Sequence, residues 1–218
     1  MRKTKRLPLE ELAPYIFEVP PPKPGVDEPA PNLINWPTIF NNDRPVEVEV
    51  GCGKGLFLIT AANACPDVNF FGIEIVRKYQ LYTATRLAIR NLHNARITCS
   101  DARIFFRDRI PESSLQAVHL YFPDPWWKKR HHKRRLFTRE FAALCASRLR
   151  PGGKLHFASD VAEYYEIARE LCRQQPALRE LPAPTETEAK QELDYLTNFE
   201  RKSVQAGRPV NRLLFERI

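Results

Sequence analysis

Val46-Glu47-Val48-Glu49-Val50-Gly51-Cys52-Gly53-Lys54-Gly55 is the stretch on which the fold turns. Its first five residues alternate valine with glutamate, the period-two pattern of a strand. Glycines then occupy every second position, and Leu56 to Ala64 reads as a helix that stops before Pro66. Strand, glycine turn and helix open a βαβ unit. Glycine lets backbone approach a ligand closely, so Gly51, Gly53 and Gly55 are expected to contact one. The spacing is G-x-G-x-G rather than the G-x-G-x-x-G of dinucleotide folds.

The alternation continues outward from this unit. Asn69 to Ile75 is an apolar strand, Arg77 to Leu92 has helical period, and Ala95 to Cys99 is a short strand. Ala117 to Phe122 is a further strand, and Thr138 to Leu149 is a helix with Phe141, Leu144, Cys145 and Leu149 on one face. Pro151-Gly152-Gly153 turns into a strand at Lys154 to Ala158, and Asp160 is expected to cap a helix that runs to about Gln174. Pro182 to Glu192 reads as a polar loop, Thr197 onward as a short helix, and Arg212 to Phe215 as a last strand. Strands alternating with helices predict an α/β domain, 46–218, whose parallel sheet is covered on both faces. Its ligands would then bind at the strand C-terminal ends. Residues 1–45 are proline-rich and read as an irregular N-terminal arm, with Ile34, Trp36, Ile39 and Phe40 as anchors.

Composition narrows the partners. Thirty-four Lys+Arg against 26 Asp+Glu give a net charge of +8, which favours a polyanion. No apolar run approaches membrane-spanning length, no long basic amphipathic helix stands out, and no hydrophobic signal core follows the basic start. The five cysteines are odd in number and widely spaced without a CxxC pair, as expected of reduced thiols in the cytoplasm. His131-His132 lies in a cationic run that repels a metal ion, so no metal site is expected.

Three acids follow three strands: Glu49 before the glycine turn, Glu74 and Asp101. A carboxylate after the second strand suits the vicinal diol of a ribose. Taken singly, Glu49 reads as an exposed strand residue and Asp101 as a helix N-cap. Together with the glycines they resemble class I S-adenosylmethionine-dependent methyltransferases. The resemblance implies a Rossmann-like fold, with a mostly parallel seven-stranded sheet. Its cofactor, S-adenosyl-L-methionine, carries a sulfonium and an ammonium but no phosphate, which suits a rim of acids.

Phe122-Pro123-Asp124-Pro125-Trp126-Trp127-Lys128-Lys129-Arg130-His131-His132-Lys133-Arg134-Arg135 is the second chemical stretch. Two prolines stiffen its start. Its indoles suit a base and its six fixed cations suit phosphates. Asp124-Pro125-Trp126 partly matches the D/N-P-P-Y/F/W loop of enzymes that methylate exocyclic amines, but lacks the second proline. The fuller resemblance, from about Val46 to Phe215, is to the bacterial tRNA (guanine-N7)-methyltransferases. It includes the stretches already quoted, together with Gly72-Ile73-Glu74, Asp101-Ala102, Ser159-Asp160 and Thr197-Asn198-Phe199-Glu200. This resemblance implies formation of N7-methylguanosine in the variable loop of tRNA, by a monomer or homodimer.

The resemblance further implies cofactor contacts at Glu49, Glu74, Asp101 and Asp124. It implies acceptor contacts at Lys128, Asp160, Thr197, Asn198, Phe199 and Glu200. Guanine N7 has a free lone pair at neutral pH, so its methylation needs no base. Asp124 is expected to stabilise the positive charge passing to the purine, and Asp160 to accept from guanine N1–H and the exocyclic amine. Thr197-x-x-Glu200 is also a capping box. Lys129, Arg130, Lys133, Arg134 and Arg135, with Arg201, Lys202 and Arg208, are expected on the RNA backbone. The competing readings are an exocyclic-amine methyltransferase and a non-catalytic RNA-binding module on the same fold.

Overall fold

Helices and strands alternate through most of the chain in the computed structural model, which describes residues 6–19, 33–126, 129–183 and 197–218. The chain divides into two compact units, Met1–Pro111 and Glu112–Ile218.

In the first unit, the expected βαβ opening is present. Strand β2 (Val46–Val50) leads through the glycine turn into α3 (Leu56–Ala64), then β3 (Asn69–Glu74), α4 (Arg77–Ile89), β4 (Ala95–Cys99) and α5 (Ala102–Asp108). Val46, Val48 and Val50 are buried, and β3 is buried along its whole length, as a strand covered on both faces must be. With β1 (Ile16–Phe17), the strand order is β1-β4-β3-β2, with every pairing parallel. Val50 lies opposite Ile73, and Glu74 opposite Cys99, so the acid-bearing strand ends share one edge.

The N-terminal residues hold more regular structure than their composition suggests. They form α1 (Leu9–Leu12), a 3₁₀ turn at Ala13–Tyr15, β1 (Ile16–Phe17) and α2 (Trp36–Phe40). Ile34, Trp36 and Phe40 are buried, and Trp36 meets Phe71 edge-on with ring centroids 5.3 Å apart. Asn35 caps α2 by accepting from the Thr38 amide at 3.0 Å. The stretch 20–32 lies outside the described residues.

The second unit holds β5 (Leu115–Tyr121), α6 (Arg139–Arg148), β6 (Leu149–Ser159), α7 (Ala162–Arg173), β7 (Leu178–Leu181), α8 (Asn198–Gln205) and β8 (Asn211–Arg217). Its order is β5-β6-β8-β7. The β5–β6 pair is parallel, whereas β8 runs antiparallel to both β6 and β7. Phe141, Phe157, Tyr164 and Phe215 are fully buried between this sheet and its helices. The described residues thus contain eight strands against the seven expected. The two-residue β1, paired at the outer side of β4, is absent from the sequence reading.

Candidate active site

The glycine turn after β2 is tied down by backbone. Gly51 N–H donates to Ile73 O at 2.8 Å and Gly55 N–H to Cys52 O at 2.8 Å. Gly51, Gly53 and Gly55 have φ of 74°, 52° and 67°, the left-handed region that only glycine adopts freely. A Cβ at Gly51 would meet nothing within 4 Å, so open space lies beside that turn. At Gly55 it would lie 2.3 Å from Thr83 Cγ2, so this glycine serves packing against α4. Thr83 Oγ1 donates in turn to Gly53 O at 3.0 Å.

Two carboxylates flank the turn. Glu49 is 3% exposed rather than a surface strand residue, and a backbone N–H of Leu58, in the first turn of α3, bonds to it. Its Oε2 is buried with no hydrogen-bond partner among the described residues. Burial, then the charge of Glu74, pushes its pKa up to about 8. Glu74 is better satisfied: Oε2 accepts from Gly53 N–H at 2.8 Å and Oε1 from Val76 N–H at 2.9 Å. The Cys52 thiol between them is raised well above its ordinary range by burial and by both acids, so it stays protonated. A buried carboxyl with one oxygen unpartnered, beside a second acid, calls for a cation or a hydrogen-bond donor.

Asp101 caps α5, with Oδ1 accepting from Arg103 N–H at 2.9 Å, and its Oδ2 pairs with the Arg103 guanidinium at 2.6 Å. The bond to Arg103 holds its carboxyl below the usual range.

In the second unit, the loop after β5 is strained and clamped. Phe122 and Trp126 have φ of 53° and 46°, unusual for bulky residues and worth about 1–3 kcal/mol each. They bracket Asp124, which is exposed and takes no hydrogen bond or ion pair among the described residues. Arg134 lies over the Trp126 ring at 5.1 Å, and His131 meets its edge at 5.9 Å, so this indole braces the loop. Arg135 differs from the phosphate contact expected of it. It is 7% exposed, donates from Nε to Pro125 O at 2.7 Å, pairs with Glu163 at 3.3 Å and lies over Tyr164 at 5.1 Å. That arginine holds the loop, whereas Arg130 and Arg134 are exposed. Lys128 and Trp127 lie outside the described residues, as do the side chains of Lys129, Lys133 and Asn198.

The remaining candidate residues gather around the ends of β6 and α8. Asp160 was expected to cap α7, but the cap position is Val161, whose amide donates to Ser159 Oγ at 3.1 Å. Asp160 Oδ2 instead accepts from Ser203 Oγ at 2.8 Å and pairs with Arg208 Nη2 at 3.3 Å. Thr197 caps α8, its Oγ1 accepting from Glu200 N–H at 3.0 Å. Glu200 is buried, and its carboxylate pairs with Arg212 on β8, which makes it a brace for the cluster. Phe199 is 59% exposed, with Lys202 Nζ 5.6 Å from its ring centroid. The sequence reading gave Ser203 no role, saw Arg212 only as the start of the last strand, and took Arg208 for a phosphate contact. Gly207, with φ of 67° just past α8, is the local sign that the chain reverses there to bring Arg208 back.

Comparisons with known proteins agree with this geometry. A family model described as a putative methyltransferase matches residues 43–213. A tRNA (guanine-N(7)-)-methyltransferase of Rhodopirellula baltica is 43% identical over 210 residues, covering 90% of this chain and 78% of that protein. A protein of the same name from Vibrio vulnificus is 36% identical over 198 residues, covering 90% and 82%. Among solved structures, the 16S rRNA methyltransferase KamB superposes with a TM-score of 0.61 at 14% identity, over 84% of this chain and 93% of that one. The aminoglycoside resistance methyltransferase NpmB1 gives 0.57 at 18% identity, over 82% and 90%. Identities this low speak to fold alone, and the fold is the expected Rossmann-like α/β methyltransferase fold.

Proposed function

This chain belongs to the methyltransferase family whose model it matches, and from that premise we propose that it methylates N7 of a guanine in the variable loop of tRNA, with S-adenosyl-L-methionine as donor. The observation that carries the reading is buried Glu49, whose Oε2 has no hydrogen-bond partner among the described residues, beside Glu74 and a glycine turn with open space at Gly51. These residues fit a cofactor that is cationic and free of phosphate. When bound, S-adenosylmethionine supplies an electrophilic methyl on sulfur.

The chain's own residues divide the remaining work. Glu49 would take the cofactor's ammonium, an ion that the buried carboxylate lacks as a partner. Glu74, held rigid by two amides, would accept from the ribose hydroxyls. Asp101 keeps the start of α5 in place and is assigned a further contact to the cofactor. Guanine N7 gives up no proton, so the protein must orient the base and meet the charge that develops on it. Asp124, exposed on a strained and braced loop, is assigned that electrostatic role. Asp160, which Ser203 and Arg208 hold, is assigned the guanine Watson–Crick edge. Arg130 and Arg134 are assigned to phosphates, with the rest of the basic run. Such contacts position RNA and leave the choice of guanine to tRNA shape and base contacts. We place the enzyme in the cytoplasm, among its tRNA substrates.

Borohydride and aniline cleavage of tRNA after incubation with enzyme and cofactor tests the position of methylation. Cleavage at one variable-loop guanosine is expected. Methyl incorporation without cleavage would favour an exocyclic amine instead.

A further inference from the structure

Arg208 stands apart from the other cations of the second unit. Its backbone is fixed at the end of α8, where its N–H donates to Ser203 O at 2.9 Å. Its Nη2 contacts Asp160 Oδ2 at 3.3 Å and donates to Ser203 Oγ at 3.1 Å. Ser203 is 1% exposed and donates its own proton to the same Asp160 oxygen at 2.8 Å. Donors from α8 and from the turn beyond it thus converge on one carboxylate oxygen of Asp160, the residue that follows β6. Oδ1 of Asp160, and Nε and Nη1 of Arg208, take no hydrogen bond or ion pair among the described residues. The arginine side chain is 55% exposed, so those donors reach solvent.

This pair presents an acceptor and a donor side by side. The Watson–Crick edge of guanine is the complement: O6 accepts, while N1–H and the exocyclic amine donate. Adenine reverses the first two, setting an amine against the arginine and a lone pair against the carboxylate. We propose that Arg208 is a base-reading residue, donating to guanine O6 while Asp160 accepts from N1–H, so that the pair selects guanine over adenine. This rests on the assignment of Asp160 to the guanine edge. Ser203 is the positioning residue, since it fixes which carboxylate oxygen stays available. A site built to hydrogen-bond a base edge rejects analogues that leave its polar groups unpaired. A phosphate contact, the role that position along the sequence suggests for Arg208, has no such selectivity.

The experiment compares full-length protein with its Arg208→Met variant. Each is given S-adenosylmethionine and tRNA that carries guanosine, 2-aminopurine or inosine at the methylated position. Wild-type protein must first form N7-methylguanosine on the guanosine tRNA, and its failure to do so would overturn the functional reading itself. For Arg208→Met, kcat/KM on guanosine is expected to fall about ten- to a hundredfold, the size of a hydrogen bond to a charged group. The guanosine to 2-aminopurine ratio should shrink by a similar factor, because 2-aminopurine lacks O6. The guanosine to inosine ratio should hold, because inosine keeps O6. The slope of log affinity for tRNA against log salt should also hold. Arg208→Lys keeps a donor and should recover part of the lost ratio. An unchanged guanosine to 2-aminopurine ratio overturns the proposal, and a salt slope flatter by about one would reassign Arg208 to a phosphate.

Discussion

Glu49 shows how much a single residue's surroundings can decide. Its carboxyl has an ordinary value of 4.5 and is pushed up to about 8 by burial and by Glu74. Between those values the folded chain holds a proton that the unfolded chain has released. Stability from this group is therefore full below about pH 4.5 and falls as pH rises through about 8. Thermal denaturation of the cofactor-free protein should show a midpoint that drops from pH 5.5 to 8.5, and Glu49→Gln should flatten that drop. An equally steep drop in the variant would place the titrating group elsewhere. The same proton must leave when a cation arrives, so calorimetry in buffers of different ionisation enthalpy should detect proton release on cofactor binding. Asp124 is exposed and takes no hydrogen bond or ion pair among the described residues, so Asp124→Ala should leave the urea midpoint unchanged. Its kcat should fall at least about a hundredfold, as when a transition-state electrostatic partner is removed. Wild-type turnover would end the proposed role.

At the scale of elements, local patterns carried the reading where elements are periodic and failed where they are short. Strand β2 was legible from its valine–glutamate alternation before the glycine turn, β3 from the apolar run that burial on both faces writes, and α3 and α4 from their helical runs. Strand β1 is two residues long, β7 mixes Arg179 and Glu180 into four residues, and α5 spans seven, all too short for periodicity to show. The candidate site divides the same way. Glu49, Glu74 and Asp101 were legible because strand ends place them. The link from Asp160 to Ser203 spans 43 residues, and no local pattern encodes it. The turn itself makes a testable element. Gly55→Ala forces a side chain into the left-handed region against Thr83, and should cost about 2–4 kcal/mol in urea denaturation. Thr83→Ser removes the nearest methyl while keeping the hydroxyl bonded to Gly53 O, and should return part of that loss. No loss at Gly55→Ala would mean that the turn yields easily.

For the molecule as a whole, an excess of eight positive charges and an exposed basic loop bear on how tRNA is gripped. With about six phosphate contacts, log affinity should fall against log salt with a slope of about −4 to −5. Arg134→Ala should flatten that slope by about one. Arg135→Ala should mainly lower the denaturation midpoint, because it removes a buried clamp on Pro125 and Tyr164. Equal effects of the two on the slope would return Arg135 to the RNA-contacting set. Above all of these stands the reaction. Purified protein should be incubated with unmodified tRNA and S-adenosylmethionine labelled in its methyl group, and the nucleosides then resolved by mass spectrometry. Label in N7-methylguanosine, and in no other nucleoside, is the expected result; label in an N-methylated amine, or none at all, would contradict it.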